Sequence, residues 1–165
     1  MMSIKIVPRT MKNRREFRTL ARDNCGESME PGENEIMYFG YPASDEKQKG
    51  LPIACASLLP CNTKCNDYQQ RDYYHWITYI FVHERFKGEG FGTQLLRHVQ
   101  YDAWQSSKHP IRADVAHKAV PFFEKNGYFV FGDVWSPAAG SRYFRRLHPM
   151  QLDFRIVEKE ELWDS

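Results

Sequence analysis

Residues 82–96 read "VHERFKGEGFGTQLL", and this stretch decides how the rest of the chain is understood. Gly88, Gly90 and Gly92 stand at alternate positions. The run before them, "YYHWITYIFV" (73–82), is rich in aromatic and β-branched residues and predicts a strand. After them Phe91, Leu95, Val99 and Ala103 recur every fourth residue and Leu96 widens the stripe, which predicts a helix from 91 to 106. Glycines at a strand-to-helix junction let a ligand approach the backbone closely. The free amides and positive dipole end of a helix N-terminus favour an anion there.

Three readings of the glycines compete. A Walker A loop needs G-x-x-x-x-G-K-[ST], and no such string occurs. A dinucleotide fingerprint needs G-x-G-x-x-G, but the third glycine would fall at Thr93 or Leu95. The third reading is a single pyrophosphate cradle, with Lys87 at its mouth as a point charge. A tight loop without a ligand is the bland alternative, and three glycines beside a cation weigh against it.

Outward from the glycines, "IKIVP" predicts a first strand and "TMKNRREFRTLARDN" a helix, with Met11, Phe17, Leu20 and Ala21 on one face and arginines on the other. "GESMEPGEN" breaks that helix. "EIMYFGYP" and "IACASLLP" read as strands joined by the polar hairpin loop "ASDEKQKGLP". "IRADVA" is a short strand, and "KAVPFFEKNG" a helix stopped by its glycine. "YFVFGDVW" and "PMQLDFRIV" are the last two strands. The crossover rule makes the strands of the unit 73–116 parallel, while the hairpins before it are antiparallel. The fold class is therefore α/β: a mixed, mostly antiparallel sheet flanked by helices. The expected organisation is one domain over 1–157 and an acidic tail, "EKEELWDS", over 158–165.

Composition bounds the function. A chain of 165 residues, 42% hydrophobic and 15% aromatic, can bury a core. A net charge of +2 gives no global field for nucleic acid. Charge is uneven locally: Arg9, Lys12, Arg14, Arg15, Arg18 and Arg22 precede Glu27, Glu30, Glu33 and Glu35. No run approaches the roughly 18 to 20 apolar residues of a membrane span. "MMSIKIVPRT" has no signal-peptide core, so a cytoplasmic or nuclear location is the default expectation. Cys25, Cys55, Cys61 and Cys65 make no disulfide framework, and "PCNTKC" lacks a second ligand pair, so no metal site is expected.

The glycine stretch resembles the acetyl-coenzyme A motif of the GNAT acyltransferases: Arg or Gln, two residues, Gly, one residue, then Gly or Ala. Here it falls on Lys87, Gly90 and Gly92, after a strand closed by Val82. Lys87 keeps a cation but gives up the forked geometry of arginine. "ADVAHKAVPFFEKNGY" (113–128) is similar to the family's later strand and helix, and "HPMQLDF" to the last strand of some members. The resemblance implies that the two central parallel strands splay apart. It implies acetyl-CoA as cosubstrate, its pantetheine arm along Ile80, Phe81 and Val82 and its pyrophosphate on Lys87, Gly88, Gly90, Phe91, Gly92 and Thr93. The thiol end would run towards Phe122 and Phe123.

Acetyl transfer to an amine needs a proton acceptor, a polarised carbonyl and a stabilised thiolate. Many family members place a tyrosine on the late helix to protonate the thiolate; here Phe123 stands there. Their usual base on the strand before the motif is matched by Trp76 and Thr78, of which Thr78 could hold a water. His117, which follows the splayed strand, is a further candidate. His75 should face away, and Glu84 and Asp114 suit surface or capping roles. For each, a structural role is the alternative reading. The family's acceptor wall maps to "CGESMEPGENE", whose glutamates suit a cationic amine, or else form a solvated acidic loop. The arginine helix reads as a solvated face. The expected activity is acetylation of a primary amine, on a small molecule or on a protein lysine or N-terminus. A CoA-binding module without transferase activity and an interaction domain without cofactor are the alternatives. Nucleic acid and membrane partners are not expected, and a homodimer is left open.

Overall fold

The computed structural model describes residues 2–44, 50–62, 64, 67, 71–137 and 145–154. The first strand, β1 (Met2–Val7), leads into helix α1 (Met11–Cys25). The Thr10 side chain accepts the Asn13 amide at 3.1 Å to start α1, and Gly26, at φ 77°, ends it by donating to Arg22 O at 2.8 Å. Strands β2 (Ile36–Pro42), β3 (Ala54–Leu59) and β4 (His75–Val82) follow, then α2 (Phe91–Ser106), β5 (Ile111–Ala116), α3 (Val120–Lys125), β6 (Phe129–Val130) and β7 (Leu147–Leu152). The described strands form one sheet in the order β1-β2-β3-β4-β5-β7-β6.

Helices cover both faces of this sheet. Phe17, Leu20, Ala21 and Cys25 of α1 pack on Met37, Phe39, Cys55 and Phe81. On the other face Leu95, Leu96, Val99 and Ala103 of α2, with Phe123 of α3, pack on Ala54, Ala56, Leu58, Ile77 and Ile111. Met11, expected on the apolar face of α1, is 83% exposed: it lies in the first turn, before the helix meets the sheet.

The sheet is mixed, and its parallel pair is splayed. Strands β4 and β5 meet only at His75↔Ile111 and Trp76↔Arg112. Beyond those rungs β4 stays with β3 as far as Val82, while β5 pairs along its whole length with β7. Arg112 pins the closed end. Its guanidinium lies 3.6 Å from the Tyr74 ring and 3.9 Å from the Phe131 ring, and its Nε donates to Gln151 Oε1 at 2.9 Å.

A bulge interrupts β4. Leu58 faces Ile77 and Ser57 faces Tyr79, so Thr78 has no residue opposite. The alternation of faces changes phase there. Ile77, Ile80 and Val82 all join the α2 core, while Tyr79 and Phe81 join the α1 core.

The C-terminal strands differ from expectation. Only Phe129–Val130 of the stretch 128–135 is strand, with one isolated bridge from Trp135 to Leu147. Pro149 of β7 has no amide to give to β6, and the contact continues only through its carbonyl, which accepts from Phe131 N–H at 3.1 Å. Strand β7 starts two residues before Pro149. The expected end of the last strand (155–157), the tail 158–165 and Cys65 lie outside the described residues. Among the described residues no helix is long and apolar enough to cross a membrane.

Candidate active site

The splay opens a narrow cleft between β4 and β5, lined by residues 77–81, Ala113–Ala116, Ala119 and Phe123. Past Trp76 the β4 edge that faces β5 has no strand partner among the described residues. Unpaired backbone along an apolar slot is what an extended amide-bearing chain needs. Ile80 and Phe81 lie on this edge and Val82 ends it. The Phe81 side chain is buried against Phe17, so Phe81 offers the slot its backbone.

At the end of β4 the chain makes a tight turn over 84–86 and reaches the glycines. Gly88 and Gly90 both have φ 82°, and a Cβ added at either would meet nothing within 4 Å. Gly90 caps α2 with no side-chain hydrogen bond, and the amides of Phe91, Gly92 and Thr93 open the helix. Gly92 has a different role. A Cβ there would come within 3.3 Å of the Phe122 ring and 3.6 Å of Val82, so Gly92 lets α2 sit close to α3 and β4. Lys87 is half-exposed and pairs with Glu84 at 2.9 Å; this contact holds the Glu84 carboxyl below its ordinary range.

At mid-strand the site turns polar. The Thr78 hydroxyl donates to Glu35 Oε1, and Ser57 Oγ lies 2.5 Å from Thr78 Oγ1. Glu35 Oε2 accepts the Gly32 amide at 2.6 Å. Burial, followed by the Glu35 charge, raises the neighbouring Tyr79 phenol above its ordinary range. Phe123 closes the cleft as a buried aromatic, packed edge-on to Phe122 and Tyr128.

The structure therefore groups Thr78, Ile80, Phe81 and Phe123 around the cleft, with Val82, Lys87, Gly88, Gly90, Phe91, Gly92 and Thr93 at its glycine end. His117 is not among the lining residues. Its Nδ1 lies 3.1 Å from His148 Nε2 in an exposed ring pair. His75 is fully buried: Nδ1 accepts the Cys61 amide at 3.1 Å, so Nε2 carries the proton towards Ser107 O at 3.1 Å. Burial lowers its pKa, which keeps it neutral and structural. Asp114 lines the cleft, but burial raises its pKa and its Oδ1 takes the Trp135 indole N–H at 3.3 Å.

Two features escaped sequence reasoning. Several arginines of α1 are not a solvated face. Arg14 and Arg18 grip Glu30 and Arg22 donates to Ser28, while Arg9, just before the helix, donates to Pro31 O. They hold the acidic loop 26–35 against the helix. The second is Glu35, which shares a face with Met37 and Phe39 by the period of a strand. That spacing was the available signal. The bulge, which brings Thr78 to the same face, leaves no mark in a single sequence.

Residues 43–129 match the family model described as an acetyltransferase (GNAT) domain, and the chain belongs to this family of N-acetyltransferases. Solved structures agree in fold. The ribosomal-protein-S18-alanine N-acetyltransferase from Escherichia coli superposes with a TM-score of 0.69 at 13% identity, over 96% of this chain and 97% of that one. A spermidine N-acetyltransferase chimera from Vibrio cholerae and hSSAT gives 0.68 at 15% identity, over 92% and 94%. An acetyltransferase from Bacillus subtilis in complex with CoA gives 0.61 at 16%, over 93% and 99%. No curated protein matches the chain at a significant level. The β4 edge left by β5 and the open space at Gly88 and Gly90 suit a CoA-based cosubstrate, such as the CoA held by the Bacillus subtilis acetyltransferase.

Proposed function

We propose that the protein transfers an acetyl group from acetyl-CoA to a primary amine, on a small molecule or on a protein lysine or N-terminus. The observation that carries this reading is the cleft between β4 and β5, lined by Thr78 and Phe123, on the strand that leads directly into the glycine-opened N-terminus of α2. Residues 80–82 would pair with the pantetheine amides as an added strand. Lys87, Gly88, Gly90, Phe91, Gly92 and Thr93 would take the pyrophosphate. The thioester then lies near the bulge, where unpaired backbone can polarise its carbonyl. Holding amine and thioester in line supplies a large part of the rate. Glu27 and Glu33 of the loop give the acceptor side an acidic character that suits an ammonium.

Calorimetric titration with acetyl-CoA, followed by free-thiol release over a panel of amines, tests the reading. Micromolar binding and amine-dependent release are expected; absence of binding overturns it. Phe123 favours a second reading. It sits at the thiol end of the cleft with no proton to give, as a CoA-binding module without transferase activity would have it. Binding without thiol release for any amine would select that reading.

A further inference from the structure

The proton lost by an attacking amine needs an acceptor, and β4 carries no carboxylate at the cleft. Two carboxylates approach the cleft among the described residues. Asp114 lines it but is held by the Trp135 indole. The other is Glu35, which reaches it through Thr78.

The hydrogen bonds around Thr78 have one consistent direction. A carboxylate only accepts, so the single hydroxyl proton of Thr78 belongs to Glu35. Ser57 must then donate to Thr78 Oγ1 across 2.5 Å. Thr78 Oγ1 keeps a further lone pair. Thr78 also lines the cleft, and as the bulge residue it has no opposite number on β3. Glu35 is fixed from behind by the Gly32 amide at 2.6 Å. The row lies on the α1 face of the sheet, the face that carries the arginine-held loop.

We propose that Glu35 is the terminal proton acceptor of the transfer, reached through the Thr78 hydroxyl, and that the amine approaches from the α1 face. This rests on the acetyl-transfer reading above. In the step, the amine lone pair forms the C–N bond to the thioester carbonyl carbon. The C–S bond breaks and its electron pair leaves on sulfur as the thiolate. The departing N–H proton passes to Thr78 Oγ1 as the hydroxyl proton of Thr78 passes to Glu35 Oε1. Glu35 then returns the proton to the thiolate or to solvent.

The test compares wild type, Glu35→Gln, Thr78→Val and Thr78→Ser by free-thiol release with an amine that turns over, and by calorimetry with acetyl-CoA. Glu35→Gln and Thr78→Val are each expected to lower kcat by about 100-fold, with little change in the KM for the amine or in the affinity for acetyl-CoA. Thr78→Ser restores the hydroxyl and should recover most of what Thr78→Val loses. Without any ligand, the carbon-13 resonance of the Glu35 carboxyl should move in Thr78→Val and not in Thr78→Ser. Wild-type turnover in Glu35→Gln, or Thr78→Ser as slow as Thr78→Val, overturns the assignment while leaving the transfer reading in place. A wild-type chain that binds acetyl-CoA yet acetylates no amine overturns both.

Discussion

Arg14 grips Glu30 with both arms of its guanidinium, Nε at 2.6 Å and Nη2 at 2.9 Å. Arg18 approaches the same carboxylate at 3.3 Å. The contact ties α1 to the loop that leads to Glu35. Arg14→Ala should therefore lower stability only slightly, as the loss of a partly exposed bidentate pair does. Its larger effect should fall on the KM for the amine, with acetyl-CoA affinity unchanged. Urea unfolding and steady-state kinetics would check both. The Arg14 contact lowers the Glu30 pKa below its ordinary range, so this stabilisation is complete above that range and is lost as pH falls through the lowered value.

His75 makes the fold sensitive to mild acid. Its lowered pKa comes first from burial; Cys61 and Ser107 hydrogen-bond the ring, and His109 adds a like charge nearby. The unfolded chain takes up a proton near the ordinary value of 6.5, and the folded chain does so only at lower pH. Stability should thus be full above about pH 6.5 and decline below it. Unfolding measured at neutral pH and in mild acid should show a drop for wild type and a smaller one for His75→Gln. An equal drop in both would assign the acid sensitivity elsewhere.

The glycines should separate under substitution. At Gly90 the space is open but φ is 82°, so Gly90→Gln strains the backbone by about 1 kcal/mol and puts a side chain where the pyrophosphate belongs. Acetyl-CoA affinity should be abolished. Gly92→Ala meets the Phe122 ring at 3.3 Å, and shrinking that ring in Gly92→Ala with Phe122→Leu should restore much of the loss. Rescue at 92 and none at 90 by the same partner change, read by calorimetry and thermal unfolding, is the expected pattern.

Tyr128 is buried, and its hydroxyl has no partner among the described residues. A stranded buried hydroxyl costs free energy, on the order of 1–3 kcal/mol. Tyr128→Phe should be neutral or raise the melting temperature. A clear destabilisation would show that the hydroxyl is bonded after all.

Much of this site was legible from residue order. The stripe Phe91, Leu95, Val99, Ala103 and the three glycines marked the strand–loop–helix unit that opens α2 at Gly90. The strands β1 to β3 were equally plain as short apolar runs bounded by turn residues. What was hidden depends on register. Glu35 and Thr78 are 43 positions apart, and only the pairing of β2 to β3 and of β3 to the bulged β4 makes them neighbours. The short β6 was overestimated because Phe129 and Phe131 have strand propensity, while the limit on pairing comes from Pro149 in another strand. The arginines of α1 looked solvent-facing because their partners lie in a loop whose path no periodicity describes.

The bulge in β4 also governs how this chain tolerates change. Counting from Thr78, every later side chain of the strand sits on the face its parity number would deny it. Removing Thr78 would make Ile77 and Tyr79 consecutive opposite Leu58 and Ser57, so the alternation would become regular with Tyr79, Ile80, Phe81 and Val82 still on their present faces. The strand itself can spare position 78, so a residue kept there across lineages of this protein would serve the cleft rather than the core.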